Sequence, residues 1–225
     1  MFSIKIEPNT LYSLTTTTGQ KKGSVFNKVP AFVGFPENYS DDFENNNVGS
    51  APKYFCDQAG AFEVYKNKAG SKTLRQVVVD PLLVWDQWGP CDPEPFSEIG
   101  DSSFSDYEVS CDVLIENKGT AKIIGRISAY DPKKVLAGYT FTVNSDGKWN
   151  LLDSFNSIAS GTVSYPSGKW HSLKLRFNGS LIKAYIDSIE ITSVTNTSYS
   201  KGFVGLGSDK NYVQFDNFKI NSLKE

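Results

Sequence analysis

Three carboxylates near the two ends of the chain carry the clearest chemistry. Ser40-Asp41-Asp42-Phe43-Glu44 stands near the start, and Phe215-Asp216-Asn217-Phe218 near the end. Between them run strand-like segments with hardly a helical pattern. Short acidic strand ends at opposite extremes of a chain meet only if the first and last strands pair. Pairing would close one β-sandwich and gather Asp42, Glu44 and Asp216. Hard oxygen ligands collected this way suit Ca²⁺.

Other chemistry finds less support. The single histidine, His171, sits inside a strand pattern beside Trp170 and reads as structural. One histidine and no cysteine pair at metal spacing make zinc a poor fit. No G-x-S-x-G elbow occurs. Gly202-Phe203-Val204-Gly205-Leu206-Gly207 reads as a strand, not as a phosphate loop. Glycosidase chemistry needs two fixed carboxylates about 5–10 Å apart. Glu94 and Glu98 are the available pair, in a Pro-rich stretch with nothing evident to hold them. Sugar contact is a softer possibility, for which an aromatic platform and planar polar groups are needed. Trp85, Trp88, Tyr130, Trp149 and Arg126 are the candidates, each with core or rim packing as the plainer role.

The elements that would position these residues are strands. Ala61 to Tyr65, Leu74 to Val79, Tyr107 to Ile115, Ala121 to Tyr130 and Gly138 to Val143 alternate or run apolar. Trp170 to Phe177 alternates cleanly, and Asn178-Gly179 offers a hairpin turn. Leu181 to Ile191, Gly202 to Gly207 and Tyr212 to Ile220 complete the series. Turn signals recur about every ten residues, as in a sandwich. Pro81 to Ser97 is the irregular stretch, with two tryptophans and Pro90, Pro93 and Pro95. Such a loop is either functional or a rim packed on another domain.

The first segment reads differently. Phe2 to Ile6 and Leu11 to Thr15 alternate about a turn at Pro8-Asn9-Thr10, and two strands do not make a fold. Residues 1–25 therefore read as the tail of a preceding domain, residues 26–37 as a linker, and 38–225 as the main domain. The fold class is all-β, a lectin-like (concanavalin- or laminin-G-like) jelly-roll sandwich.

Composition narrows the function classes. The 225 residues are 39% hydrophobic and 13% aromatic, enough to bury one large β core. A net charge of −2 without basic clusters argues against nucleic acid as a partner. No stretch approaches the ~20 apolar residues of a transmembrane segment. Met1 to Ile6 lacks the apolar core of a signal peptide. Cys56, Cys91 and Cys111 allow one bridge and a free thiol, or three small buried hydrophobes. Sequons at Asn38, Asn178 and Asn196 are glycosylation candidates in a secretory setting.

Several stretches, taken in order, resemble the galactosylceramidase (galactocerebrosidase) family of retaining glycoside hydrolases. They begin with Leu14-Thr15-Thr16-Thr17-Thr18-Gly19-Gln20-Lys21-Lys22-Gly23, Asp41-Asp42-Phe43 and Asp57-Gln58-Ala59-Gly60-Ala61-Phe62-Glu63. Thr73-Leu74-Arg75-Gln76-Val77, Ile99-Gly100-Asp101, Cys111-Asp112-Val113 and Gly125-Arg126 follow. Lys169-Trp170, Gly205 and Gln214-Phe215-Asp216-Asn217-Phe218 close the set. The resemblance covers the whole chain, weakly between about Ala129 and Gly168.

That resemblance implies a chain built from the end of a β-sandwich, to about residue 25, and a C-terminal lectin-like domain. The catalytic (β/α)₈ barrel has no counterpart here, so the chain alone is expected to be inactive. The resemblance also implies one structural Ca²⁺. Its ligands would be Asp42, Glu44 (where animal enzymes are expected to carry Asn), the backbone carbonyl of Lys72, and Asp216. Trp85, with Trp88 and Arg126, would wall a galactolipid or other galactoside bound mainly by the barrel. A saposin-type activator would be a partner of the whole enzyme, and the address would be lysosomal or secreted. Two other readings compete: a free-standing Ca²⁺-dependent lectin, and a laminin-G-like protein-interaction module.

Overall fold

The computed structural model describes residues 3–9, 33–79, 94–131, 135–165 and 168–223. The chain divides into two units, Met1–Val33 and Gly34–Glu225. Of the first unit, residues 3–9 and Val33 are described. Residues 3–9 form no strand and end in a turn at Pro8-Asn9, with Asn9 at φ 58°. The second expected strand, Leu11 to Thr15, lies outside the described residues.

The second unit is an all-β sandwich, with no helix among the described residues. One antiparallel sheet runs β13 (Ile189–Thr195), β12 (Leu181–Ile186), β11 (His171–Asn178), β6 (Tyr107–Ile115), β15 (Val213–Ser222), β4 (Lys72–Gln76) and β3 (Phe62–Lys66). The other runs β10 (Asn156–Thr162), β9 (Lys148–Asp153), β8 (Val135–Asn144), β7 (Thr120–Asp131), β14 (Phe203–Ser208), β5 (Phe96–Ile99) and β2 (Cys56–Ala59). The first strand, β1 (Tyr39–Asp41), pairs antiparallel with the last, β15, as the two acidic blocks imply.

Alternation sets the layers. Every second residue of β6 and β11 is buried, because successive side chains of a strand point to opposite faces. Val109, Val113, Leu173 and Leu175 thus meet Ile123, Phe141 and Leu206 from the facing sheet in one core. Phe35 packs edge-on against Tyr54 and Phe104, so the apolar packing begins ahead of β1.

Three local features depart from the sequence reading. Asn178 pairs with Leu181, so the β11–β12 loop is Gly179-Ser180, one residue later than the Asn-Gly pair suggests. The run Leu181 to Ile191 is two strands, folded back at Asp187-Ser188 with φ of 49° and 67°. Two positive φ values define a type I′ turn, which glycine usually serves and which is hidden here by its absence. The hairpin β9–β10 was not anticipated either. Cys111 is buried in the core and Cys56 is exposed on the other sheet, so these two do not bridge; Cys91 lies outside the described residues.

Candidate functional site

Strand β15 changes partner halfway along one edge. Gln214 and Phe215 pair with Arg75 and Leu74 of β4; Phe218, Lys219 and Ile220 pair with Asp41, Ser40 and Tyr39 of β1. On the opposite edge, the pairing with β6 shifts register between Asp216 and Lys219. Asn217 takes φ 48° within this β-bulge. Asp216 therefore stands where β4 gives way to β1.

The chain leaving β1 turns sharply there. Asp41 accepts the Phe43 N–H (2.7 Å), and Asp42 accepts the Glu44 N–H (3.2 Å). Phe43 takes φ 59° and is fully buried, which anchors the turn in the core. Asp42 and Glu44 are left on the same end of the sheet as Asp216. Glu44 Oε1 accepts the Ser71 hydroxyl (2.7 Å) and the Lys72 N–H (2.9 Å), and those bonds hold its carboxyl below the usual range. Lys72 Nζ donates to the carbonyls of Glu44 and Asn46, both at 2.8 Å.

The electrostatics are one-sided. The Asp216 carboxyl is pushed above its ordinary range, first by burial and then by the charges of Asp112, Glu44 and Asp42. A partly buried carboxylate repelled by three others is the environment a divalent cation relieves. Against this, no group of three or more His, Cys, Asp or Glu side chains has the geometry of a metal centre among the described residues. Glu44 is turned toward Ser71 and Lys72. Asp42, Asp216 and a backbone carbonyl are oxygen donors of the kind Ca²⁺ takes, and Glu44, bonded to Ser71 and Lys72 through Oε1, offers its Oε2 beside them. Asp112 belongs to this group and was missed in the sequence. Its carboxylate accepts the Asn217 side-chain amide at 2.8 Å.

The sugar-contact candidates fare unevenly. Trp85 and Trp88 lie outside the described residues. Arg126 is corrected: its side chain is 2% exposed and cannot face a sugar. A bulge in β7 and a φ of 51° place it beneath the surface. Its guanidinium donates to the carbonyls of Ser105 (2.7 and 3.0 Å), Gly179 (2.8 Å) and Tyr199 (3.0 Å), and lies over the Phe177 ring. Trp149 is 8% exposed and packs on Phe141.

Residues considered for acid–base work are held structurally. His171 Nδ1 lies 2.7 Å from Asp187, and its ring stacks on Tyr165 at 3.9 Å. Glu94 pairs with the buried Lys122. Glu98 lies in β5 opposite Gly205, its carboxyl pushed up by burial. Among the sequons, Asn38 and Asn178 are exposed. Asn196 instead accepts the Tyr139 hydroxyl (2.7 Å) and donates to Asp153 (3.0 Å).

Comparison with known proteins matches this architecture. A sequence model described as galactocerebrosidase, C-terminal lectin domain, matches residues 57–223. Galactocerebrosidase of Danio rerio is 29% identical over 234 residues, covering 98% of this chain and 35% of that protein. The Mus musculus protein is 28% identical, covering 99% and 34%, and the Homo sapiens protein 27%, covering 99% and 34%. The chain thus spans about a third of the length of these relatives. Among solved structures, a carbohydrate-binding module from Bacillus subtilis aligns with a TM-score of 0.53 at 18% identity, covering 75% of this chain and 96% of that one. A Bacillus subtilis protein of unknown function with a galectin-like fold gives 0.56 at 15% identity, covering 82% and 94%. At such identities the likeness is one of fold.

Proposed function

The chain belongs to the galactocerebrosidase C-terminal lectin-domain family, and on that footing we propose that it is the non-catalytic module of a galactosylceramide-cleaving hydrolase. It braces a catalytic barrel and completes the wall of that barrel's substrate cleft. The observation that carries this reading is the match itself: a lectin-domain sequence model over residues 57–223, in relatives about three times as long. The whole enzyme releases galactose from galactosylceramide by double displacement, with a saposin-type activator presenting the lipid in a lysosomal or secreted setting. Trp85 contributes an apolar wall to that cleft.

The acidic junction takes one Ca²⁺ in this reading. Asp42, Asp216 and the Lys72 carbonyl hold it, and Glu44 adds its Oε2. The ion supplies charge neutralisation, not reaction chemistry. The chain's own residues tie β1 and β4 to β15 at this point.

Incubation with a fluorogenic β-galactoside tests the division of labour. The chain alone is expected to release no galactose. Grafted in place of the C-terminal third of the Danio rerio protein, it is expected to support release. Hydrolysis by the isolated chain, or a folded chimera without activity, would overturn the reading.

A further inference from the structure

The face of the β7–β10 sheet away from the core carries an open groove of about 430 Å³, within the size range of small-ligand sites. Its position follows from register. Thr142 of β8, Asn150 of β9 and Ser160 of β10 stand side by side across three neighbouring strands. Thr120 and Asn144 stand opposite each other one row away. All five line the groove with Lys148 and Thr162.

The chemistry of this lining is specific. Among the described residues no carboxylate contributes to it, and Lys148 is the one charged residue lining it. That excludes metal cations and gives too little positive charge for a polyanion. Trp149 and Gly161 line the groove as well, and the remaining side chains are hydroxyls and carboxamides. Both carboxamides are pinned through their oxygens. Asn144 Oδ1 accepts the N–H groups of Asp146 (3.0 Å) and Lys148 (2.9 Å), and Asn150 Oδ1 accepts the Ser157 hydroxyl (2.6 Å). Each amide nitrogen is thereby fixed as a donor beside hydroxyls that both donate and accept. Fixed neutral donors lose little entropy on binding.

From these groups we infer that the groove binds the hexopyranose end of a neutral glycan. Asn150 and Asn144 donate to the sugar oxygens, and Thr142 and Ser160 exchange hydrogen bonds with its hydroxyls. The site lies on the sheet surface, is independent of Ca²⁺, and does not depend on the catalytic cleft assigned above.

Titration of the isotope-labelled chain with methyl β-D-galactopyranoside, and with its gluco and manno counterparts, tests the site by NMR. One of the three is expected to shift the Asn144 and Asn150 side-chain amide signals saturably. Asn150→Asp keeps an acceptor for Ser157 but removes the donor. It is expected to weaken binding roughly five- to ten-fold, the equivalent of one hydrogen bond. Ser160→Ala, which spares that contact, should weaken it also, while Lys183→Ala on the other sheet should not. Three sugars without a saturable shift, shifts centred elsewhere, or full binding by both groove variants would each overturn the inference. None of these outcomes bears on galactose release by the chimera, so the two readings fail separately.

Discussion

Asp216 stands in register with Asp112 across β15 and β6, and the ladder between those strands slips immediately after them. Two carboxylates side by side repel, and Asp42 and Glu44 add to the charge felt by Asp216. The sheet tolerates this only with some compensation, and Asn217 supplies part by donating to Asp112 (2.8 Å).

A bound Ca²⁺ would supply the rest. Millimolar Ca²⁺ is therefore expected to raise the melting temperature and a chelator to lower it, because a ligand of the native state alone stabilises by mass action. Asp216→Ala should erase the difference. Equal melts with and without the ion in the unaltered chain would remove the site.

The same carboxyl gives a pH dependence in chelator. Its folded pKa is raised, so between the ordinary carboxylate range and that raised value the folded state holds more protons than the unfolded one. Stability contributed by Asp216 is then present at low pH and falls as pH rises through this window. Asp216→Asn should flatten the decline in urea-midpoint measurements across that window. A decline as steep in the variant would show that other groups cause it.

Arg126 is expected to govern stability rather than binding. Removing the guanidinium as Arg126→Met strands the carbonyls of Ser105, Gly179 and Tyr199. The cost should be about 3 kcal/mol or more, read from urea denaturation. Arg126→Lys should restore little of it, since an ammonium cannot reach three directions in a plane. A loss under about 1 kcal/mol would contradict the buried network.

Glycine substitutions should act in opposite directions at two places. Ser188 holds φ 67° in the β12–β13 turn, so Ser188→Gly should gain about 0.5–1 kcal/mol. At Gly125 an added Cβ would sit 2.3 Å from a Phe177 ring carbon. Gly125→Ala should therefore cost about 1–3 kcal/mol through core strain. Thermal melts of the two variants moving the same way would refute the pair.

Much of the fold was legible because its central strands alternate. The bounds of β6, Tyr107–Ile115, are those the alternation gives, since its inward residues are apolar and its outward ones, Leu114 apart, are polar. The hairpin β9–β10 was not legible: Asn156–Thr162 lies at a sheet edge, where little burial is needed and small polar residues serve. The approach of Asp42 and Glu44 to Asp216 could be read because two acidic blocks bracket the domain. Asp112 could not, because a single acid facing outward from a strand looks like any solvated residue. Arg126 misled because arginine suggests a polar surface contact. Only the bulge at Gly125–Ala129 reveals that it turns inward.

Among the described strands β15 is made last, yet it lies in the middle of its sheet, between β6 on one side and β4 and β1 on the other. During synthesis β3 and β4 form one pair and β13, β12, β11 and β6 one set, and until β15 emerges no strand links the two groups. The edges of β4 and β6 stay bare until residues 213–222 leave the ribosome, and bare edges invite intermolecular pairing. The order of translation thus makes completion of this sheet wait for the latest of its strands. A chain stopped short of Val213 should be recovered in the pellet, and a soluble folded product from such a chain would refute this.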